Sequence, residues 1–429
     1  MVPIEQAKEY PMTLEQARKR FPQLEETVYG KPLVYLDHAA TSLRPLEVVR
    51  CWEEVSFRKN ANLHRAVHYM AQQATAAFEE ARATVASFLG AASPREIVFT
   101  PGATAAANLL ATCLGQSRIE GGHRVAEPYI GAGDCLLVAE SEHHSNLVPW
   151  QMLCERTGAR LVVLPVEEDG SYNLTRLEEA LKAAPKLFCI AHISNVLGLI
   201  NPIAEMAALC HRAGCRVVVD GAQGIVHADV NVCEMGADYY FFSGHKIYAA
   251  PGTGVLWARA ELLDELPPYM GGGEMIDHVR WEGSTWAEPP YRFEAGTQNL
   301  SGVPTLVPAL RLLQELRGPE MLANALAVRD YVWEQLLAIQ GLRLYGNPSD
   351  RSLKVPIFSF SIEGVHHEDL ALLLDKMGVA VRSGQMCAEP LMGRIGVTGM
   401  VRASFAPFNT LQEAETFIKS LHKAIGMLR

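Results

Sequence analysis

Val217-Val218-Val219-Asp220-Gly221-Ala222-Gln223 and, a little further on, Phe241-Phe242-Ser243-Gly244-His245-Lys246 decide how this chain folds. An apolar, β-branched run ending in an acid reads as a buried parallel strand. It delivers a carboxylate to its C-terminal edge, where open α/β sheets place their ligands. The second run delivers a lysine in the same way. An acid and a lysine at neighbouring strand ends suit pyridoxal phosphate, whose aldehyde bonds a lysine amine and whose pyridinium nitrogen pairs with a carboxylate. Read singly, Asp220 serves as well to cap the next helix and Lys246 as a surface lysine; their combination points to the cofactor.

Working outward, strands near 134–139, 160–165, 186–191 and 216–220, then Tyr239–Phe242 and Gly254–Ala258, alternate with helical stretches. This rhythm predicts a mainly parallel sheet with helices on both faces. Upstream, Ala74, Ala77, Phe78, Ala81, Val85, Phe88 and Leu89 recur at helical spacing, with Gly90 as the stop. Strand Glu96–Thr100 enters the turn Pro101-Gly102-Ala103-Thr104, which opens a helix from Ala105 to Leu114. Free N–H groups at a helix start favour an anion, so Ala103 and Thr104 form a candidate phosphate cradle. A short helix is expected from Thr13, with Glu15 in its first turn, and Leu33 to Thr41 reads as a strand running into a turn. Glu120 to Gly133 reads as a surface loop of no evident chemistry. Between 265 and 305 glycines and prolines interleave with Tyr269, Trp281, Trp286, Tyr291 and Phe293, which predicts a packed loop at a subunit interface. A helix near 304–317 opens a second, smaller α+β domain, whose last helix puts Leu411, Ala414, Phe417, Ile418, Leu421 and Ile425 on one face. The expected division is an N-terminal segment, 1–30, packing with the small domain; a large cofactor domain, 31–300; and a small C-terminal domain, 301–429.

Composition excludes several classes. The 429 residues carry a net charge of -10 at pH 7, with no basic surplus to neutralise phosphates, so no nucleic-acid partner is expected. Met1 to Arg20 lacks the apolar core of a signal peptide and no long apolar run follows, so a cytoplasmic protein without a membrane partner is expected. Nine scattered cysteines without a Cys-x-x-Cys pair suggest neither disulfides nor a zinc site.

Further residues can carry chemistry. His143, after the strand ending near Ala139, can stack on a flat cofactor and move a proton, or serve structure alone. Gln223 is placed to hydrogen-bond the cofactor's phenolate oxygen, and Ser243 and His245 to reach its phosphate. Cys387 lies on the loop Ser383-Gly384-Gln385-Met386-Cys387-Ala388, open enough for a nucleophile, or idle there. Arg402, mid-strand in Val401-Arg402-Ala403-Ser404-Phe405, either pairs with a structural carboxylate or holds a substrate α-carboxylate, for which Arg382 is a weaker candidate.

Asp220-Gly221-Ala222-Gln223 with Ser243-Gly244-His245-Lys246 resembles the signature of the type II cysteine desulfurase and selenocysteine lyase family, in the class V aminotransferase group. The resemblance runs from Tyr35-Leu36-Asp37 to Asn409-Thr410, and the stretch from Gly396-Val397-Thr398-Gly399 onward is most similar to the cysteine sulfinate desulfinase branch. It implies fold type I of the pyridoxal-phosphate transferases: a mainly parallel seven-stranded sheet with helices on both faces, plus a smaller α+β C-terminal domain. It implies that Lys246 bonds the cofactor and acts as general base, that His143 stacks on its ring, and that Asn195, in Ser194-Asn195-Val196-Leu197-Gly198, contacts the substrate–cofactor adduct. By the same resemblance Arg402 holds the carboxylate, and Cys387, in the family's Arg-x-Gly-x-x-Cys-Ala loop, takes sulfur as a persulfide. Thr297 would reach the phosphate in a neighbouring subunit, hence a homodimer with shared active sites. The implied reaction turns L-cysteine into L-alanine, with selenocysteine and cysteine sulfinate as related substrates and a small protein as sulfur acceptor. Two departures stand out. Met386 replaces the family's common histidine, removing a proton carrier beside Cys387, and Ala103 and Ala105 replace a threonine and an acid in the phosphate turn. The alternatives are a class V aminotransferase, epimerase or lyase with Cys387 a bystander, or a non-catalytic scaffold for sulfur-transfer partners.

Overall fold

Seven strands build the sheet that carries Asp220 and Lys246 in the computed structural model, which describes residues 12–64, 66–120 and 123–429. They are β1 (Ile97–Thr100), β2 (Cys135–Ala139), β3 (Arg160–Leu164), β4 (Leu187–Ala191), β5 (Arg216–Asp220), β6 (Tyr239–Ser243) and β7 (Gly254–Ala258). Their order is β1-β7-β6-β5-β4-β2-β3, and only β7 runs antiparallel to its neighbours. The continuous apolar runs are explained by burial of both faces: Val217, Val219, Tyr240 and Phe242 enter one core, Val218, Tyr239 and Phe241 the other. Register sets Asp220, the last residue of β5, between Ala191, the last of β4, and Phe241 in the middle of β6.

Helix α1 (Tyr69–Leu89) covers the first face and ends at Gly90, whose φ of +65° is the left-handed cap a glycine supplies without strain. Helix α2 (Ala103–Leu114) covers the second face and starts at Ala103, two residues before the expected Ala105, because Gly102 takes the cap position. Helix α3 (Leu306–Glu315), shorter than the expected 304–317, is preceded by a single tight turn, Val303–Thr305, and packs on α1 and on the helix Leu46–Arg58.

Helices α4 (Pro319–Leu337) and α5 (Leu411–Leu428) pack together over a four-stranded sheet of β8 (Leu342–Tyr345), β9 (Ile357–Ile362), β10 (Arg382–Gly384) and β11 (Met400–Ser404), ordered β8-β9-β11-β10. A capping box of Thr410 and Glu413 starts α5, which buries Ala414, Phe417, Ile418, Leu421 and Ile425 and leaves Leu411 exposed. The short helix Leu14–Arg18 opens with a similar box, but Thr13 is answered by Gln16 rather than Glu15. Arg18 pairs with Glu413 on α5.

Three expectations need correction. The strand expected to run from Leu33 into a turn by Thr41 is only Val34–Tyr35, with the turn following at 38–40; among the described residues it pairs with Val379–Ala380 alone. The stretch expected to be plain loop carries an antiparallel hairpin, Arg118–Glu120 with His123–Ala126; residues 121 and 122 lie outside the described chain. The stretch 265–305, expected to be loop, contains the hairpin Ile276–Arg280 and Gly283–Trp286, whose tip residue Trp281 is fully exposed in the single chain. Among the described residues no helix is long and apolar enough to cross a membrane.

Candidate active site

A cavity with about 590 Å³ of space, part of it open to solvent, lies at the C-terminal edge of the large sheet. Five of the seven strands supply side chains at or just past their ends: Thr104 after β1, His143 and Ser145 after β2, Asn195 after β4, Asp220 ending β5, Ser243 and Lys246 at the end of β6. Arg402 of β11, Arg382 of β10 and Cys387 close it from the second sheet.

One part of the wall suits a phosphate. The N–H of Ala103, at the start of α2, donates to Ser243 Oγ at 2.8 Å, and Thr104 and Ser145 share a hydrogen bond of 2.7 Å. His245 adds its ring, hydrogen-bonded through Nδ1 to Thr41, while its carbonyl accepts from Ser42 Oγ at 2.8 Å. Burial, aided by Lys246 and Arg44, pushes the His245 ring down to about 4, leaving it neutral. Another part suits an aromatic amine. Asp220 is buried and accepts the Ala222 N–H at 2.8 Å; burial raises its pKa and Lys246 pulls it back. Burial lowers the Lys246 amine, with Asp220 opposing and the two arginines assisting. His143 falls to about 3, through burial first and then Lys246; its Nδ1 accepts the Ser145 N–H at 3.0 Å, so Nε2 carries the ring proton.

The remaining wall holds the cysteine. Met386 and Cys387 both adopt left-handed backbone, φ +54° and +55°, a conformation that costs a non-glycine residue about 1–2 kcal/mol. Hydrogen bonds hold this turn: His144 N–H to the Cys387 carbonyl at 2.7 Å, Asn195 Nδ2 to the Met386 carbonyl at 2.9 Å, and Glu389 N–H to His144 Nε2 at 3.1 Å. Arg402, buried, donates through Nη1 to the Asn195 carbonyl at 2.9 Å and through Nη2 to Asp37 at 3.2 Å, while its Nε has no partner among the described residues. Arg402 thus pairs with Asp37 while its guanidinium lines the cavity.

Lys246, Cys387, His143, Asp220, Thr104, Ala103, Ser243, His245, Asn195, Arg402 and Arg382 therefore meet at one cavity. Two expected residues do not line it. Gln223 is buried behind the wall, its Nε2 donating to the Ala39 carbonyl at 2.8 Å, and Thr297 is exposed on the surface. Sequence reasoning missed Asp37, Ser145 and the buried Glu142. Burial, then the nearby Asp220, pushes Glu142 up to about 8 against the hydrogen bond from Asn146 Nδ2. The Glu142 signal was present in the sequence, an acid directly beside His143 after a buried strand.

The residues fit pyridoxal phosphate: hydroxyls and a helix start for its phosphate, a buried carboxylate for its ring nitrogen, a buried lysine for its aldehyde. Fold and site together define a fold type I pyridoxal-phosphate enzyme. Residues 34–417 match the family model for aminotransferase class-V. A relative from Vibrio cholerae named a probable cysteine desulfurase is 41% identical over 97% of this chain and 100% of its own. A cysteine desulfurase from Cronobacter sakazakii is 40% identical over 96% and 99%. Among solved structures, the Escherichia coli cysteine desulfurase CsdA superposes with a TM-score of 0.86 at 35% identity, covering 97% of this chain and 99% of that one. The apo cysteine desulfurase of Thermococcus onnurineus gives 0.88 at 35% identity, over 96% and 98%. This chain belongs to the aminotransferase class-V family.

Proposed function

We propose that this protein is a pyridoxal-phosphate-dependent cysteine desulfurase, converting L-cysteine to L-alanine with the sulfur taken as a persulfide on Cys387. The observation that carries the reading is the convergence of Lys246, Asp220, Arg402 and Cys387 on one cavity. Pyridoxal phosphate bound there supplies an electron-withdrawing ring that stabilises negative charge at the substrate Cα. Asp220 holds that ring's nitrogen protonated. The Lys246 amine, whose lowered pKa favours the neutral base, takes the Cα proton. Arg402 binds the carboxylate through its fork, the Asp37 contact giving way or being shared. Cys387 Sγ forms the new S–S bond as the substrate's Cβ–S bond breaks, the electron pair staying with the carbon fragment that is protonated to alanine.

The site residues, the domain division 1–30, 31–300 and 301–429, and selenocysteine and cysteine sulfinate as further substrates belong to the same proposal, as does a small acceptor protein for the sulfur. A cytoplasmic homodimer completes it; nine free cysteines and exposed apolar side chains such as Trp52 and Phe57 support that reading. Met386 beside Cys387 favours the rival, a class V enzyme of other chemistry in which Cys387 is idle. Alanine and sulfide release from L-cysteine with a thiol reductant separates the two. Cys387→Ala should lower both by at least about a thousandfold; full activity in that variant would remove Cys387 from the reaction, and a cofactor-loaded wild type that releases neither product would replace the desulfurase reading with the rival.

A further inference from the structure

Lys354 is a fully buried lysine to which the reaction assigns no task. It lies between the short turn Arg351–Leu353 and β9, and its Nζ donates to the carbonyls of Leu197 at 2.5 Å, Gly346 at 2.8 Å and Tyr345 at 3.5 Å. Among the described residues no carboxylate pairs with it. Burial alone pushes its amine down to about 7, while three carbonyl oxygens favour the charged form. An unpaired buried ammonium is costly unless its hydrogen bonds are filled, so its retention asks for a reason.

The reason lies in what Leu197 belongs to. Four successive carbonyls of the loop after β4 are captured from the second sheet and its approach. Asn195 O accepts from Arg402 Nη1, Val196 O from Ser359 Oγ at 2.6 Å, Leu197 O from Lys354, and Gly198 O from the Val355 N–H at 2.9 Å. Gly198 sits at φ +62°, where an added Cβ would lie 2.6 Å from the Ile357 carbonyl, so only a glycine lets the loop pack this closely here. The Asn195 side chain leaves this stitched loop to hold the Met386 carbonyl, in the left-handed turn that presents Cys387. Such a turn persists only where its surroundings hold it.

We propose that Lys354 is a positioning residue: by gripping Leu197 and Gly346 together it fixes the 195–198 loop, and through Asn195 it holds Cys387 at the cavity wall. The proposal rests on the desulfurase reading for its kinetic consequence, though not for its geometry. Lys354→Met keeps the length of the side chain and removes the ammonium. In the cofactor-loaded protein it should leave the cofactor's absorption band and KM for cysteine near wild type and lower kcat about tenfold, the scale of a small misplacement of a reacting group. Iodoacetamide should alkylate Cys387 several times faster, measured by peptide mass spectrometry with the exposed Cys233 as internal reference. Ser359→Ala, which frees the Val196 carbonyl from the same strap, should act in the same direction and more weakly. If Lys354→Met does not fold, Ser359→Ala decides alone. Wild-type kcat and a wild-type alkylation ratio in the folded variants overturn the proposal. A wild-type protein that releases no alanine from cysteine would instead remove the desulfurase reading, and the alkylation ratio, which needs no turnover, would still test the strap.

Discussion

His143 illustrates how burial chooses a protonation state. Its ring gives Nδ1 to the Ser145 N–H and faces Lys246 and two arginines, so a second proton is opposed from three sides. The ring falls from an ordinary value of 6.5 to about 3. Because the folded value lies below the unfolded one, the unfolded chain binds the extra proton between those limits, and His143 weakens the fold as pH drops through that window. At neutral pH it is a neutral ring and Nε2–H donor, not a cation. Its ring-proton resonances, assigned by comparison with a His143→Gln variant, should stay constant between about pH 5 and about pH 8. A midpoint near 6.5 would show that the ring is solvated and that the cavity is more open than drawn. At this scale much of the site was legible, because Asp220, Lys246, His143 and Cys387 each follow a strand or sit in a glycine-containing turn. Asp37 was not legible as the partner of Arg402, nor Lys354 as a clamp on Leu197. Partners separated by more than a hundred residues leave no periodic trace in the chain.

Elements were legible where burial imposed a pattern. β5 and β6 are apolar on both faces and their limits could be read almost to the residue, whereas the hairpin at 118–126 is largely exposed and carries no alternation to read. The strand Val34–Tyr35 exists only because Val379–Ala380 comes alongside, a tertiary event. The start of α2 depends on such contacts too. A Cβ at Gly254 on β7 would stand 2.4 Å from the Gly102 Cα, so two glycines let the helix start descend onto the sheet and bring Ala103 to Ser243. Gly254→Ala should push that start outward, lowering stability by about 1–3 kcal/mol and weakening pyridoxal phosphate binding, both measurable by thermal unfolding and cofactor titration. Gly393→Ala, in a helical position with nothing within 4 Å of the new carbon, is the control and should do neither. Unchanged cofactor affinity in Gly254→Ala would mean that the helix start does not hold the phosphate.

Over the whole molecule, the cavity is lined from both sheets, so the site depends on how the parts are held. Within one chain the strap of carbonyls from Asn195 to Gly198 does this, and the N-terminal helix adds the pair Arg18 with Glu413. The outer surface tells a further story. Trp52 and Phe57 on the helix Leu46–Arg58, Val67 and Tyr69 at the start of α1, and Trp281 at a hairpin tip stand exposed, Val67 at 91% and Trp281 at 102%. Single exposed apolar residues are ordinary; several large ones on these segments are what the proposed homodimer would cover. In the proposed homodimer exposed Thr297 would have a task at the phosphate of the adjoining site. Light scattering should return about twice 47.1 kDa. Phe57→Glu should shift the protein towards the monomer, and cofactor affinity should fall with it, since each site would lose its contribution from the other chain. A wild type that scatters as a monomer at micromolar concentration would refute the shared site. A Phe57→Glu monomer with undiminished cofactor affinity would leave the dimer standing and remove Thr297 from the phosphate.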